Sequence, residues 1–183
     1  MKCTETGIHK DLDRMRKILL VDGYNIIGDW PEFIPLKDDF AGARDLLIEK
    51  MAEYQAYTGS EVTIIFDAHM VPGLGKNDSV YRLTILYTKE KETADEKIER
   101  LVHELKRVDT DIYVATSDYV EQSVIFASGA YRKSARELRN EMLMIEKNIK
   151  NEVSKKKESK IKSSLPITDE IAEIFEKWRR GKN

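Results

Sequence analysis

Residues 18 to 25 read Ile-Leu-Leu-Val-Asp-Gly-Tyr-Asn, a short apolar run that ends in a carboxylate and then turns at a glycine. A run of this kind, with no polar interruption, is typical of a strand that is buried on both faces, as in a parallel sheet. Two later runs have the same form, and they end at Asp67 and at Asp118. The fold prediction therefore starts from three buried strands that each end in an aspartate.

Segments with helical periodicity lie between these runs. Residues 40–58 repeat apolar side chains at helical spacing and stop at Gly59, and residues 93–108 do the same from a start near Thr93. Residues 83–88 form a fourth, more mixed strand. Alternation of strand and helix predicts an α/β sheet with right-handed crossovers, in which ligands bind beyond the carboxyl ends of the strands. The three aspartates are expected at that edge.

The chain after Asp118 changes in character. We expect a short helix to Gly129, a small edge strand at residues 130–133, and a long helix that begins at Ala135 with Ser134 as its N-cap. Lysines then dominate residues 147–162, and an amphipathic segment closes the chain. The predicted organisation is an N-terminal leader at residues 1–16, a core domain at 17–145 and a basic helical C-terminal extension at 146–183.

Composition limits the classes of partner. The 183 residues carry 31 Lys and Arg against 33 Asp and Glu, so the net charge of −2 gives no global attraction to a polyanion, and local patches must supply it. Cys3 is the single cysteine, which excludes an intrachain disulfide and a thiolate zinc site. No apolar run reaches the roughly 18 residues that a membrane helix needs. We expect a cytoplasmic protein with no membrane partner; nothing in the pattern fixes its oligomeric state.

The strand-end aspartates are the candidates for chemistry. A single aspartate there is often no more than a helix or turn cap. Three of them at one edge repel one another, and a cation relieves that repulsion. Asp95, at the start of the helix after the fourth strand, falls near the same edge. Oxygen ligands without a Cys or His pattern favour Mg²⁺ or Mn²⁺ over zinc, and such sites hydrolyse phosphodiesters.

Other phosphate chemistries fail on spacing. An aspartyl-nucleophile phosphatase requires a second aspartate two positions after Asp22, where Tyr24 stands. A Walker loop at Gly75 and Lys76 would need a glycine in place of Met70 and a hydroxyl residue in place of Asn77. No glycine-rich dinucleotide fingerprint follows the first strand. Metal-assisted hydrolysis remains the best interpretation of the acids.

Five motifs occur in an order that is similar to the YacP-like branch of the NYN domain family, relatives of the PIN-domain ribonucleases. They are Val21-Asp22-Gly23-Tyr24-Asn25-Ile26-Ile27, Phe66-Asp67-Ala68-His69, Glu92-Thr93-Ala94-Asp95, Thr116-Ser117-Asp118 and Arg132-Lys133-Ser134-Ala135-Arg136-Glu137-Leu138. The resemblance spans about residues 17 to 145. It implies a PIN-like three-layer sandwich with a central, mainly parallel sheet, endoribonuclease activity supported by Mg²⁺ or Mn²⁺, and association with ribosomes.

The resemblance also implies roles for individual residues. Asp22, Asp95 and Asp118 would bind the metal, and Asn25 would orient water or a ligand from the turn after the first strand. Three further residues are candidates for supporting these ligands without binding the metal themselves: Asp67, Ser117 and Glu121.

RNA must be held by cations near this acidic edge. Arg132, Lys133 and Arg136 are the first candidates, although solvated residues at a helix start are a common alternative. Arg44, Lys89 and Lys91 are secondary candidates. The lysine run of the extension is a candidate for RNA contact, or else a solvated helix face.

Three functions remain open at this point. The first is a metal-dependent endoribonuclease that acts on mRNA in a ribosome-associated setting. The second is a non-catalytic RNA- or ribosome-binding module of the same fold, which the retention of Asp22, Asp95 and Asp118 disfavours. The third is a nuclease that acts on DNA or a structured flap with the same metals.

Overall fold

The computed structural model describes residues 15–67, 78–80, 82–89, 91–117 and 129–162, together with residues 173, 176, 177, 179 and 180. Two compact units divide the chain, one ending at Leu143 and the other beginning at Met144. None of the described helices is long and apolar enough to cross a membrane. The division into a leader, a core domain and an extension stays a prediction.

A six-stranded sheet forms the centre of the first unit, in the order β3-β4-β2-β1-β5-β6. Five strands run parallel, and β3 pairs antiparallel with β4 at one edge. Strand β1 lies between β2 and β5 and is hydrogen-bonded to both. The bounds are β1 Arg16–Asp22, β2 Glu61–Phe66, β3 Asp78–Val80, β4 Leu83–Tyr87, β5 Thr110–Ala115 and β6 Tyr131–Lys133.

Helices cover both faces of the sheet. On one face, α3 packs its apolar side against β1, β2 and β5 through residues that include Leu20, Ile65 and Ile98. Leu19 and Val21 alternate with Leu20 along β1, so they point to the opposite face, where they are also buried. The helix bounds are α1 Gly23–Asp29, a 3₁₀ helix Pro31–Leu36, α2 Phe40–Thr58, α3 Ala94–Leu105 and α4 Ala135–Lys162. The protein is α/β with the predicted PIN-like, mainly parallel architecture.

Local signals in the sequence account for most of these boundaries. Helix α2 ends at Gly59, whose φ of 73° is the left-handed conformation that glycine adopts without strain. Ser134 caps α4 as predicted, because its hydroxyl accepts from the N–H of Glu137 while its own N–H donates to the Glu137 carboxylate. The predicted edge strand is β6. Helix α1, the 3₁₀ helix and β3 had no prediction, since each is too short to show a period.

The connection between β1 and α2 is anchored to the start of α4. Trp30 is buried, its indole Nε1 donates to the backbone carbonyl of Ala135 at 2.9 Å, and its ring stacks on Phe33 at 6.0 Å between centroids. A buried indole N–H needs such a partner. This bond fixes the chain that follows α1.

Gly23, the first residue of α1, lies directly against the last residue of the neighbouring strand β2. A Cβ at this position would overlap the ring of Phe66, the last residue of β2. Gly28, five residues later in the same helix, has open space around the corresponding position. The two glycines of α1 therefore serve different purposes.

Replacement of Gly23 with alanine is expected to destabilise the protein by about 1–3 kcal/mol, because Phe66 lies in the core and has little room to move. Gly28→Ala is the matched control, and helix propensity predicts a gain of up to about 1 kcal/mol there. Urea unfolding of both variants measures the difference. Equal free energies of unfolding for the two variants would show that the Phe66 ring can move aside without a cost in stability.

Candidate active site

Asp22 lies at the carboxyl end of the central strand and is almost buried, with 7% of its surface exposed. It pairs with Ile65 in the register of β1 and β2, and its carboxylate Oδ1 accepts from the N–H of Asn25 at 3.2 Å. The aspartate is thus the N-cap of α1. The capping role considered from the sequence is confirmed, and it fixes the carboxylate at the edge of the sheet.

Asn25 connects the end of β1 to the end of β5. Its side-chain Oδ1 accepts from the N–H of Ser117 at 2.8 Å and also from the Ser117 hydroxyl. A backbone N–H can only donate, so the amide oxygen must face Ser117 and the amide NH₂ is directed elsewhere. Since Ser117 directly precedes Asp118, Asn25 positions the backbone that leads to that acid.

Asp95 is exposed in the first turn of α3. The preceding residue, Ala94, is buried in the cluster that also holds Leu20 and Ile65, and Ile65 is the register partner of Asp22. Helix α3 also follows the carboxyl end of β4, which runs parallel to β1 and β2, so its N-terminus lies on the side of the sheet where Asp22 lies. A capping box between Thr93 and Glu96 fixes this first turn.

A buried glutamate holds the loop before α3. Glu92 accepts from the N–H of Lys89 at 2.9 Å through Oε2, and Oε1 forms an ion pair with Arg100 at 2.6 Å. Burial acts to raise the pKa of Glu92, but these two interactions outweigh it and hold the pKa below its ordinary value. The carboxylate is ionised and fixes the approach to Asp95.

Asp67 follows β2 at the same edge and is half-buried. The hydroxyl of Thr88 donates to its Oδ1 at 3.4 Å, and the N–H of Thr88 donates to the carbonyl of Phe66 at 3.0 Å. Asp67 is therefore tied to the residue that follows β4. Its predicted supporting role is compatible with this position and stays a prediction.

The predicted metal-binding set is only partly within the described residues. Asp22 and Asp95 reach one edge of the sheet, whereas Asp118 and Glu121 lie outside the part of the chain that the structure describes. Within that part, no group of three or more His, Cys, Asp or Glu residues could hold a metal. The donors at this edge are nevertheless carboxylate oxygens, which fit the preference of Mg²⁺ and Mn²⁺.

The predicted RNA-binding cations differ in their surroundings. Arg132 and Arg136 are exposed. Lys133 points inward: its Nζ donates to both oxygens of Glu141 at 2.8 and 2.6 Å and to the hydroxyl of Tyr54 at 3.0 Å. These residues line a cavity of about 350 Å³ that extends to Lys17, near the amino end of β1. The charge of Lys133 is thus balanced inside the fold.

Comparison with known proteins gives the family. The family model for the YacP-like NYN domain matches residues 19–180, and the chain belongs to this family. The protein YacP from Bacillus subtilis (strain 168) is 53% identical over 165 residues, which are 90% of this chain and 97% of the relative.

Solved structures agree with this assignment. The crystal structure of Rae1 (YacP) from Bacillus subtilis superposes with a TM-score of 0.71 at 53% identity, over 90% of this chain and 95% of that chain. A mutant of the same protein gives a TM-score of 0.69 at 50% identity, over 90% and 96%. Family membership implies a ribonuclease-like fold, in a class of nuclease-type hydrolases that generally use divalent metals.

Replacement of Glu92 with glutamine is expected to destabilise the protein by about 1 kcal/mol at pH 7, because the ion pair with the half-exposed Arg100 is lost. Since the folded pKa of Glu92 is lowered, its contribution is present above the ordinary value of 4.5 and disappears as the pH falls through the folded pKa. The difference between wild type and variant should therefore shrink below that value.

Urea unfolding at pH 7 and at successively lower pH measures this effect. Glu99→Gln, at an exposed acid in α3, is the control and should leave stability unchanged at each pH. A loss of unfolding free energy in Glu92→Gln that stays constant with pH would contradict the electrostatic explanation.

Proposed function

We propose that the protein is a divalent-metal-dependent endoribonuclease that cleaves phosphodiester bonds of RNA, with mRNA in a ribosome-associated setting as its substrate. The observation that supports the proposal is Asp22, a buried carboxylate at the carboxyl end of the central strand. Helix α3, which begins after the carboxyl end of a parallel strand, would add Asp95. Concentrated negative charge serves no purpose in a module that only binds RNA. The same proposal assigns the protein to the cytoplasm.

Asp22, Asp95 and Asp118 would hold Mg²⁺ or Mn²⁺. The bound ion would supply an activated water and charge stabilisation at the phosphorus. Asp22 contributes a carboxylate that is already fixed by the N–H of Asn25, so little side-chain entropy is lost when a cation binds. Asn25 acts as a positioning residue, because its amide oxygen holds the backbone immediately before Asp118.

RNA would be held by cations around this edge. Arg132 and Arg136 are exposed and available for phosphate contact. Lys133 remains a predicted RNA-binding residue, and to bind a phosphate it would have to leave Glu141. The lysines of residues 147–162 would add contact with ribosomal or messenger RNA.

The first test replaces the acids. Asp22→Asn and Asp95→Asn should each lower the rate of RNA cleavage at least about 100-fold, because several kcal/mol of transition-state stabilisation correspond to two or more factors of ten. Asp111→Asn is the matched control, at the opposite, amino end of β5, and should cleave like wild type. Cleavage of a labelled RNA is followed with Mg²⁺, Mn²⁺ or a chelator.

The outcomes separate the possible functions. Identical cleavage patterns for wild type and both acid variants would refute the enzyme. RNA binding without cleavage at any metal concentration would identify a binding module. Preference for a DNA substrate under the same conditions would reassign the nuclease to DNA.

The second test addresses Asn25. Asn25→Ala leaves the N–H of Ser117 without its acceptor, which should raise the metal concentration required for half-maximal cleavage by about 10- to 100-fold. Asn25→Asp retains an oxygen at the same place, and Ser117→Ala removes only the hydroxyl contact, so both should have smaller effects. Unchanged metal dependence in Asn25→Ala would remove Asn25 from the positioning role.

A further inference from the structure

Arg44 is a buried cation in the second turn of α2, and only 8% of its surface is exposed. Its Nη1 donates to the hydroxyl of Tyr24 at 3.1 Å. An arginine has five N–H donors, and a single neutral phenol does not balance its charge. Burial of such a charge costs several kcal/mol unless an anion meets it.

Other arginines of the fold have that anion. Arg16 pairs with Glu61, Arg100 with Glu92, and Arg139 with Glu32. Across the part of the chain that the structure describes, Arg44 has no carboxylate within ion-pair distance. Arg44 is thus exceptional in combining deep burial with a neutral partner.

The partner of Arg44, Tyr24, lies in α1, directly after the strand that ends at Asp22. Tyr24 is two residues after Asp22 and directly precedes Asn25. Its ring is held edge-on by Phe66 at 5.2 Å and by Phe40 at 6.3 Å between centroids. The phenol oxygen accepts from Arg44, so its own O–H is available as a donor. The two side chains form a pair of donors, and its tyrosine lies two residues after the candidate metal-binding acid Asp22.

We propose that Arg44 and Tyr24 form a phosphate-binding subsite that takes a backbone phosphate of the RNA next to the one that is cleaved. The subsite rests on the proposed nuclease function and adds to it the residues that place the substrate. The planar guanidinium fork matches two oxygens of a phosphodiester, and the Tyr24 hydroxyl supplies a third donor. The negative charge of the bound phosphate would also neutralise the buried charge of Arg44.

The experiment measures RNA binding rather than cleavage. Full-length protein carrying Asp22→Asn, which binds but should not cleave, is titrated into a fluorescent single-stranded RNA over a series of salt concentrations, and anisotropy gives Kd. Adding Arg44→Gln should raise Kd about 10-fold and lower the slope of log Kd against log salt by about one unit or slightly less, as expected for one lost phosphate contact.

Two further variants distinguish charge from geometry. Arg44→Lys keeps the charge but not the fork, so the salt slope should stay near that of the parent while Kd rises about 3-fold. Tyr24→Phe should raise Kd about 3-fold through the lost hydroxyl, about 0.6 kcal/mol at RT of about 0.59 kcal/mol. Arg107→Gln, at an exposed cation on the loop before β5, is the matched control and should bind like the parent.

The proposal is overturned if Arg44→Gln and Tyr24→Phe leave Kd and the salt slope unchanged while the unfolding midpoint falls, because Arg44 then serves only packing. If Arg44→Gln does not fold, unchanged binding by both Arg44→Lys and Tyr24→Phe overturns it in the same way. Wild-type protein that cleaves no RNA, but whose binding depends on Arg44, would refute the nuclease and retain the subsite.

Discussion

Strand β1 is hydrogen-bonded to a parallel strand on each side and buried on both faces, and this central position determines where the rest of the site can form. Parallel pairing brings the ends of β1, β2 and β5 to the same edge. Asp22 is therefore surrounded by backbone that the sheet itself holds in place. The close approach of Gly23 to Phe66 and the Asn25–Ser117 bridge then fix the first residues beyond the sheet.

The sequence was sufficient for the main elements of the sheet, because its strands are uninterrupted apolar runs and its long helices have clear periods and caps. It also predicted that Asp22 and Asp67 stand at the ends of parallel strands, and the pairing of β1 with β2 confirms this for these two acids, whereas Asp118 lies outside the described residues. It did not reveal Glu92 or Arg44 as buried charges. Burial of a polar side chain depends on which helices and strands pack against it. The residues next to it in the sequence do not indicate these tertiary contacts.

Lys133 shows the same limit of prediction from sequence, here for a cation that was expected at the surface. A lysine within a run of cations suggests a surface that attracts phosphates, but the alternation of β6 turns this side chain toward Tyr54 and Glu141. Arg132, one residue earlier, points the other way and is exposed. The charge pattern thus gives the number of cations, while the strand geometry decides which of them a polyanion can reach.

The hydrogen bond from Trp30 to Ala135 joins residues 105 positions apart. On a ribosome that makes the chain from its N-terminus, this bond cannot form until almost three-quarters of the chain has emerged. Pairing of β1 with β5 likewise waits for residues beyond 110. A nascent chain can assemble β1, β2 and α2 early, but it lacks one flank of the acidic edge until late in synthesis. This edge of the sheet is thereby completed only after β5 and the start of α4 have been made, so products of translation that stops earlier would carry Asp22 without the neighbouring strand β5.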